Sequence, residues 1–383
     1  MRSAVPPGVA ADVRWAASEA PLVTALRDEI RAAPDARITF ARFMDRALTE
    51  PGLGYYATSG SRPSREGDFL TAPELHPLFG RCLGRFVEVV WAEACRPGAF
   101  RLREWGGGRG SLGESALAGL AADGSSLTRS LRWEIADLPG RTDASEAPAD
   151  LVLANEYLDA LPVHRLVLQA GRLREAWVTW QDGWFTEVLG DPSSPELAAH
   201  LAADGVELRE GQRADVSLAA PRALAAMAAS LVPGGRLLVI DYGHDATELY
   251  GPRRMAGSLL AYRSHRVADD PFGAVGRTDL TAHVDLTALG RAAAAAGLVP
   301  EGRTTQARFL VDLGLGELLS DLGRDPATDV SVYAEARASV ARLLDPRHLG
   351  AFAVLAWRRP GDGEATAAAV TRGPSPLPGF RAS

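Results

Sequence analysis

Lysine is absent from the 383-residue chain, so all 41 basic residues are arginine. Such an arginine-only, alanine-rich composition is the habit of a GC-rich genome and carries no chemical information. Positive charge is also short overall: the formal net charge is −7 and no basic cluster stands out. This argues against a general nucleic-acid binder, which needs a basic face to neutralise phosphates. Cysteine is scarce. Cys82 and Cys95 have neither a C-x-x-C spacing nor a histidine cluster beside them. That argues against a disulfide scaffold or a structural zinc site, suits a reducing compartment, and leaves both as buried hydrophobes by default. No apolar run approaches 18 residues, so no transmembrane helix is expected. Residues 1–21 mix Arg2 and Arg14 with Asp12 and Glu19 and lack the continuous apolar core of a signal peptide. They read as a loosely ordered arm, and a cytoplasmic location is expected.

What remains is a chain with 46% hydrophobic and 23% charged residues, ordinary for a globular protein and long enough for one large or two ordinary domains. Its most informative stretch is Leu102 to Leu117, LREWGGGRGSLGESAL. Apolar residues lead into Glu104, four glycines follow at Gly106, Gly107, Gly108 and Gly110, and helical character begins at Ser111. A strand, a tight turn and a helix start are predicted. Glycine is required where φ is positive and where backbone N–H groups must approach a ligand closely. Gly108, Gly110 and Gly113 also fit the dinucleotide fingerprint, so an NAD enzyme and an S-adenosylmethionine (SAM) enzyme both suit the stretch. Glu104 separates them: a strand-end carboxylate suits the cationic amino group of SAM and would repel a pyrophosphate.

Before this unit, periodicity predicts helices over 22–33 and 38–48, the second capped by Thr39. Gly54-Tyr55-Tyr56 opens a Gly/Ser/Arg-rich loop, and a helix starts near Pro77. Thr71, Pro73 and Glu74 lie just ahead of that helix and could form a lid over a ligand. After the unit, Leu131 to Asp137 reads as a second strand. An acidic residue there grips ribose hydroxyls in both NAD and SAM folds, with Asp137 and Glu134 as rivals and a solvated strand-end carboxylate as the plain alternative.

Leu151 to Pro162, LVLANEYLDALP, is a short apolar strand ending in Asn155, Glu156 and Asp159. Ligands in open α/β sheets bind beyond the carboxyl ends of strands. Two carboxylates and an amide at one strand end exceed what helix capping needs. His164 to Val188 alternates as a β-meander turning at Asp182-Gly183. Arg236 to Ile240 is another buried strand, delivering Asp241, Tyr242 and His244. Residues 250–285 show little regular pattern and read as a substrate lid rich in His, Arg and Asp, including His265.

The strings GYY, GDFLTAPELHPLFG, EWGGGRGSL, ANEYLDALPVHRL, LREGQRADVS, LLVIDYGH, LTAHVDLTAL and QARFLVDLGLGELL together resemble the successive blocks of the MidA family. These are SAM-dependent methyltransferases that include the mitochondrial complex I assembly factor. The resemblance runs from about Ile38 to Trp357. It implies a class I methyltransferase, a Rossmann-like α/β fold whose seven-stranded sheet ends in an antiparallel strand, with N-terminal helices and an inserted β-meander. On that reading, residues 1–36 are an arm and helix, 37–360 the methyltransferase domain with insertions about 163–215 and 243–285, and 361–383 a disordered tail.

SAM is the implied cofactor. Glu104, Gly106, Gly108 and Gly110 match the family's SAM loop, Asn155 and Glu156 its Asn-Glu motif, and Thr71, Pro73 and Glu74 the loop over the cofactor. The family's Leu-Gly-Pro-Gly is here Trp105-Gly106-Gly107-Gly108, and the segment from Asp137 to Leu151 is short. The resemblance further implies a protein substrate methylated on arginine, with a respiratory-complex subunit as partner. Methyl transfer from a sulfonium needs alignment above all. A guanidinium nucleophile would be held by paired carboxylates, here Glu156 and Asp159, with His244 or His265 near the outgoing proton. A partner-binding assembly factor without efficient catalysis, or an NAD-dependent oxidoreductase, are the rival readings.

Overall fold

The computed structural model describes residues 11–59, 71–138, 142–263, 266–361, 377–378 and 380. His265, residues 60–70 with Gly67 and Phe69, and most of the residues beyond 361 lie outside the described residues. The rest divides into two compact units. One takes its residues from Met1–Phe69, Asp159–Arg222 and Gly243–Gly290, the other from Leu70–Leu158, Ala223–Tyr242 and Arg291–Ser383.

The second unit is the α/β layer. Its sheet contains β1 (Phe100–Trp105), β2 (Leu131–Ala136), β3 (Ala149–Asn155), β4 (Leu231–Asp241), β5 (Val299–Thr305) and β6 (Ala353–Arg358), in the order β5-β6-β4-β3-β1-β2. β1 to β4 pair in parallel. β6 runs antiparallel to both β4 and β5. β3 and β4 read as unbroken apolar runs because both faces of the sheet are covered: Leu151, Val152, Leu153, Leu237, Leu238, Val239 and Ile240 are each at most 1% exposed.

Among the described residues this sheet has six strands, where seven were expected. The reason lies between β2 and β3. A parallel crossover through an extra strand and its helix needs well over a dozen residues, and only 137–148 are available.

On one face of the sheet pack α1 (Pro77–Glu93) and α2 (Ser111–Ala122). Phe79, Leu83, Phe86 and Val90 of α1 enter the core with Leu112 and Leu120 of α2. The two helices come unusually close because α1 carries glycine at the crossing. A Cβ on Gly80 would lie 1.8 Å from Ser115 Oγ, and one on Gly84 would lie 3.0 Å from the Ala116 carbonyl oxygen. Side chains there would push α2, and with it the glycine turn at its start, away from α1.

The first unit is mostly β. Strands Arg37–Thr39, His164–Gln169, Arg172–Gln181, Trp184–Gly190 and Arg213–Val216 form a five-stranded antiparallel sheet. The expected meander is its centre. Its tight turn falls at Asp182-Gly183, both with positive φ (50° and 82°), as a type I′ hairpin demands.

Three expectations are corrected here. The stretch 250–285 is not an irregular lid: Leu259–Arg263, Arg266–Ala268 and Asp279–Ala282 form a three-stranded antiparallel sheet. Tyr55–Ser59 is a short helix instead of loop. Residues 11–36 are no separate arm. Helices Ala11–Ala17 and Ala20–Ala32 belong to this unit, because Leu22, Val23, Leu26 and Ile30 bury one apolar face in the core built around Phe40, Phe43, Trp184 and Phe185.

Candidate active site

The site in the second unit grows from the carboxyl ends of β1, β2 and β3. Leaving β1, the chain needs left-handed backbone at Gly106 (φ 72°), Gly108 (φ 56°) and Gly110 (φ 80°) before α2 can begin. Any Cβ on Gly106 would also strike Tyr157 Cδ2 at 2.5 Å. Tyr157 therefore floors the turn, and Trp105 meets its ring edge-on at 6.0 Å between centroids. The turn is braced from β2. The Gly106 N–H donates to the Ala136 carbonyl at 2.9 Å, and the Gly108 N–H donates to Asp137 Oδ2 at 2.8 Å.

Glu104, beneath the turn, is 4% exposed, and its Oε2 accepts the Trp133 indole N–H at 2.7 Å. Burial pushes its carboxyl up to about 7, against the pull of that hydrogen bond and with a smaller push from Asp137. A carboxylate this close to neutralisation has room for a cation, which would restore its charge. Beside it at the end of β3, Asn155 is 8% exposed, its amide N–H donates to Glu156 Oε1 at 3.2 Å, and its Oδ1 is buried without a hydrogen-bond donor. An orphaned acceptor in such a place calls for a ligand donor.

Glu156 is the one non-glycine in this corner with positive φ (49°). Its N–H donates to the Ile240 carbonyl at 2.9 Å, and its Oε1 accepts the Ala72 N–H at 2.8 Å. The carboxylate thereby ties the short helix Ala72–Leu75, which contains Pro73 and Glu74, to the end of β3. Thr71 starts that helix, its carbonyl accepting the N–H groups of Glu74 and Leu75 at 3.0 and 3.1 Å. Burial raises the Glu74 carboxyl, with Thr71 and Arg109 opposing.

Asp137 and Glu134 differ in their partners. Glu134 is 1% exposed and pairs with Arg101 at 2.8 Å, Arg132 at 2.9 Å and Arg103 at 3.2 Å, while the Ser145 N–H donates to it at 3.1 Å. Burial pushes its carboxyl up, but the bonds from Arg101, Ser145 and Arg103 outweigh that and hold it at about 2. Glu134 is a structural ion-pair centre. Sequence reasoning placed Asp241 at the end of a buried strand without giving it a role, and did not single out Tyr157. Asp241, at the end of β4 and 1% exposed, accepts the N–H groups of Leu158 at 2.9 Å, Tyr157 at 3.2 Å and Tyr242 at 2.9 Å, which fixes the path beyond Glu156.

Asp159 and His244 belong to the first unit. Asp159 is 6% exposed and its carbonyl accepts the Ala282 N–H at 2.9 Å. Near it, Tyr56 donates its hydroxyl proton to Asp279 Oδ1 at 2.7 Å, and Tyr262 stands directly across the strand pair from Asp279. Burial first, then the charges of Asp279 and Asp159, push the hydroxyls of both tyrosines up. His244 is engaged differently. Its Nδ1 lies 3.0 Å from Glu248 Oε1, its Nε2 2.6 Å from Arg254 Nη2, and its ring stacks on His283 at 5.3 Å. Burial and Arg254 lower the pKa of His244, and burial with Arg254 brings His283 down to about 4. Both shifts favour the neutral imidazole.

A glycine turn beneath which a buried carboxylate sits, next to an orphaned amide oxygen, fits a ligand that is both cationic and rich in donors. A protein from Burkholderia thailandensis solved with S-adenosyl-homocysteine bound shares the fold: it is 33% identical, covers 96% of this chain and 97% of its own, and superimposes with a TM-score of 0.79. The chain belongs to the MidA family of SAM-dependent methyltransferases.

A family model described as "Putative S-adenosyl-L-methionine-dependent methyltransferase" matches residues 118–304. Among curated relatives of this MidA-family chain, "Protein arginine methyltransferase NDUFAF7, mitochondrial" of Rattus norvegicus is 26% identical over 84% of this chain and 82% of its own length. The Drosophila melanogaster homologue is 29% identical over 65% and 64%. The protein is a SAM-dependent methyltransferase, and the dinucleotide reading of the glycine turn falls away. The cytoplasmic location is overturned as well, because these relatives are mitochondrial proteins. Two cysteines indicate reducing surroundings, which do not single out the cytosol, so composition could not decide it.

Proposed function

We propose that this methyltransferase transfers the methyl group of SAM to an arginine side chain of a protein, with a respiratory-complex subunit as the acceptor to test first. The observation that carries the reading is the pair of buried carboxylates, Asp159 and Asp279, each 6% exposed and flanked by Tyr56 and Tyr262. Paired carboxylates hold the planar guanidinium fork bidentately, and tyrosine faces suit its delocalised charge. The names of the curated relatives, protein arginine methyltransferases, support arginine as the methylated side chain.

In this reading Glu104, Asn155 and the turn of Gly106, Gly108 and Gly110 hold the amino-acid end of SAM. Asp137, already anchored on the Gly108 N–H, offers its carboxylate to the ribose hydroxyls. Thr71, Pro73 and Glu74 line the bound cofactor from the helical turn that Glu156 tethers. SAM supplies an activated methyl carbon. What the chain adds is alignment, exclusion of water and a resting place for one proton. Asp159 and Asp279 orient the guanidinium, and a carboxylate of this pair accepts the proton it releases.

The test is transfer from tritiated SAM into matched arginine and lysine peptides and into respiratory-complex subunits, with the product hydrolysed and its amino acids separated. Label in methylarginine, lost in Asp159→Asn and Asp279→Asn variants that still bind SAM, supports the proposal. Label only in lysine or in small molecules overturns the arginine assignment while leaving the methyltransferase intact.

A further inference from the structure

Outside the machinery just described, the first unit holds three ligand-type atoms that converge: His200 Nε2, Asp204 Oδ2 and Asp285 Oδ2, all within 4.8 Å of one another. His200 lies on helix Pro195–Ala203 and Asp204 is its C-terminal cap residue, so the i, i+4 spacing puts both side chains on one helical face. Asp285 ends the two-residue strand Val284–Asp285. The side chains are 5%, 0% and 9% exposed.

Two quantities argue against a plain ion-pair network. The first is distance. Charge-assisted N–H···O⁻ bonds run at about 2.7–2.9 Å, whereas His200 Nε2 stands 3.3 Å from Asp285 and 3.7 Å from Asp204. With metal–ligand bonds of about 2.0–2.1 Å, the edge of a tetrahedral site is about 3.3 Å. The second is burial. These three side chains are withdrawn from water, and a divalent cation replaces lost hydration with ligand bonds to all three.

The surroundings of Asp285 are those of an oriented ligand. Its Oδ1 accepts the Ala288 N–H at 3.0 Å at the start of the next helix, and the hydroxyl of buried Tyr250 hydrogen-bonds the same carboxylate. These contacts turn Oδ2 toward His200, as outer partners orient metal-binding carboxylates.

We propose that His200, Asp204 and Asp285 bind a divalent metal ion of the zinc type. No metal ligand set was expected from the sequence, because the three residues are spread over 85 positions with a carboxylate-rich composition around them. The ion would pin the helix Pro195–Ala203 to the strand Val284–Asp285. That strand pairs in parallel with Gly243–His244, Asp285 standing opposite His244, so the metal also steadies the strand that presents His244. It takes no part in methyl transfer.

The test uses the full chain. Metal content is measured by plasma mass spectrometry as isolated, then after stripping with a chelator and re-exposure to Zn²⁺ or Mn²⁺ alone, with thermal midpoints recorded throughout. The expected result is uptake of about one ion per chain with a raised midpoint, abolished in His200→Ala and in the near-isosteric Asp204→Asn. Parent protein that takes up neither ion overturns the proposal. So does undiminished uptake by the two variants. Because the parent measurement alone can refute it, a misfolded variant does not rescue it.

Discussion

The Glu156 carboxylate accepts the Ala72 N–H at 2.8 Å, 84 residues away along the chain. One side chain therefore joins the strand end that presents Asn155 to the helical turn that carries Pro73 and Glu74. Glu156→Ala should lower SAM affinity about tenfold or more, since both pieces lose their common anchor. Glu156→Gln, which keeps an oxygen for the Ala72 N–H, should retain most of that affinity. Calorimetric titration with SAM measures both, and equal losses would show that charge matters here and the tether does not.

Gly106 and Gly108 should respond unequally to alanine. Both have positive φ, which costs an L-residue about 1–2 kcal/mol. At Gly108 the added Cβ has its nearest neighbour at 4.0 Å, whereas at Gly106 it meets Tyr157 at 2.5 Å. Gly108→Ala should lose about that backbone cost and no more. Gly106→Ala should lose more and fail to bind SAM. Denaturant midpoints and SAM titrations on the pair check this.

Glu104 makes cofactor binding depend on pH. Its carboxyl sits at about 7 in the folded protein, against about 4.3 in the unfolded chain. The folded state therefore holds the extra proton, and the cofactor-free protein loses stability as pH rises from about 4.3 to 7. SAM, bringing a positive charge to the ionised form, should bind more tightly as pH rises from 6 to 8, levelling above that. Glu104→Gln should flatten both profiles. A SAM affinity constant across this range in the parent would refute the role given to Glu104.

Glu134 and Asp137 should separate stability from binding. Removing Glu134 strands Arg103, itself 6% exposed, and breaking one side of a buried ion pair costs about 3–5 kcal/mol. Glu134→Ala should therefore unfold at much lower denaturant. The contribution of Glu134 is present above about 4.3 and lost as pH falls toward 2, since its folded pKa is depressed. Asp137→Ala should leave the unfolding midpoint within about 1 kcal/mol of the parent while weakening SAM binding.

Much of this was legible along the chain because the signals are local. Apolar runs give β3 and β4, glycines that need positive φ mark the turn, and Asp182-Gly183 marks the hairpin. The remainder depends on residues remote in sequence. Asp241 acquires meaning only when Tyr157 and Leu158, more than 80 residues earlier, deliver their N–H groups to it. Asp279 acquires its meaning from Tyr56, 223 residues away. The three-stranded sheet over 259–282 escaped because its strands are short and Asp279–Ala282 is buried at every position, which erases the alternation that betrays a half-exposed strand.

The strand order β5-β6-β4 has a consequence for biosynthesis. β6, Ala353–Arg358, is made after both of the strands between which it lies. Until it arrives, the β4 and β5 edges that will flank it present unpaired N–H and carbonyl groups, a template for pairing with other chains. Nascent chain that has not yet delivered β6, or protein clipped ahead of it, should therefore be a client for chaperones, and the sheet is completed only once β6 has emerged.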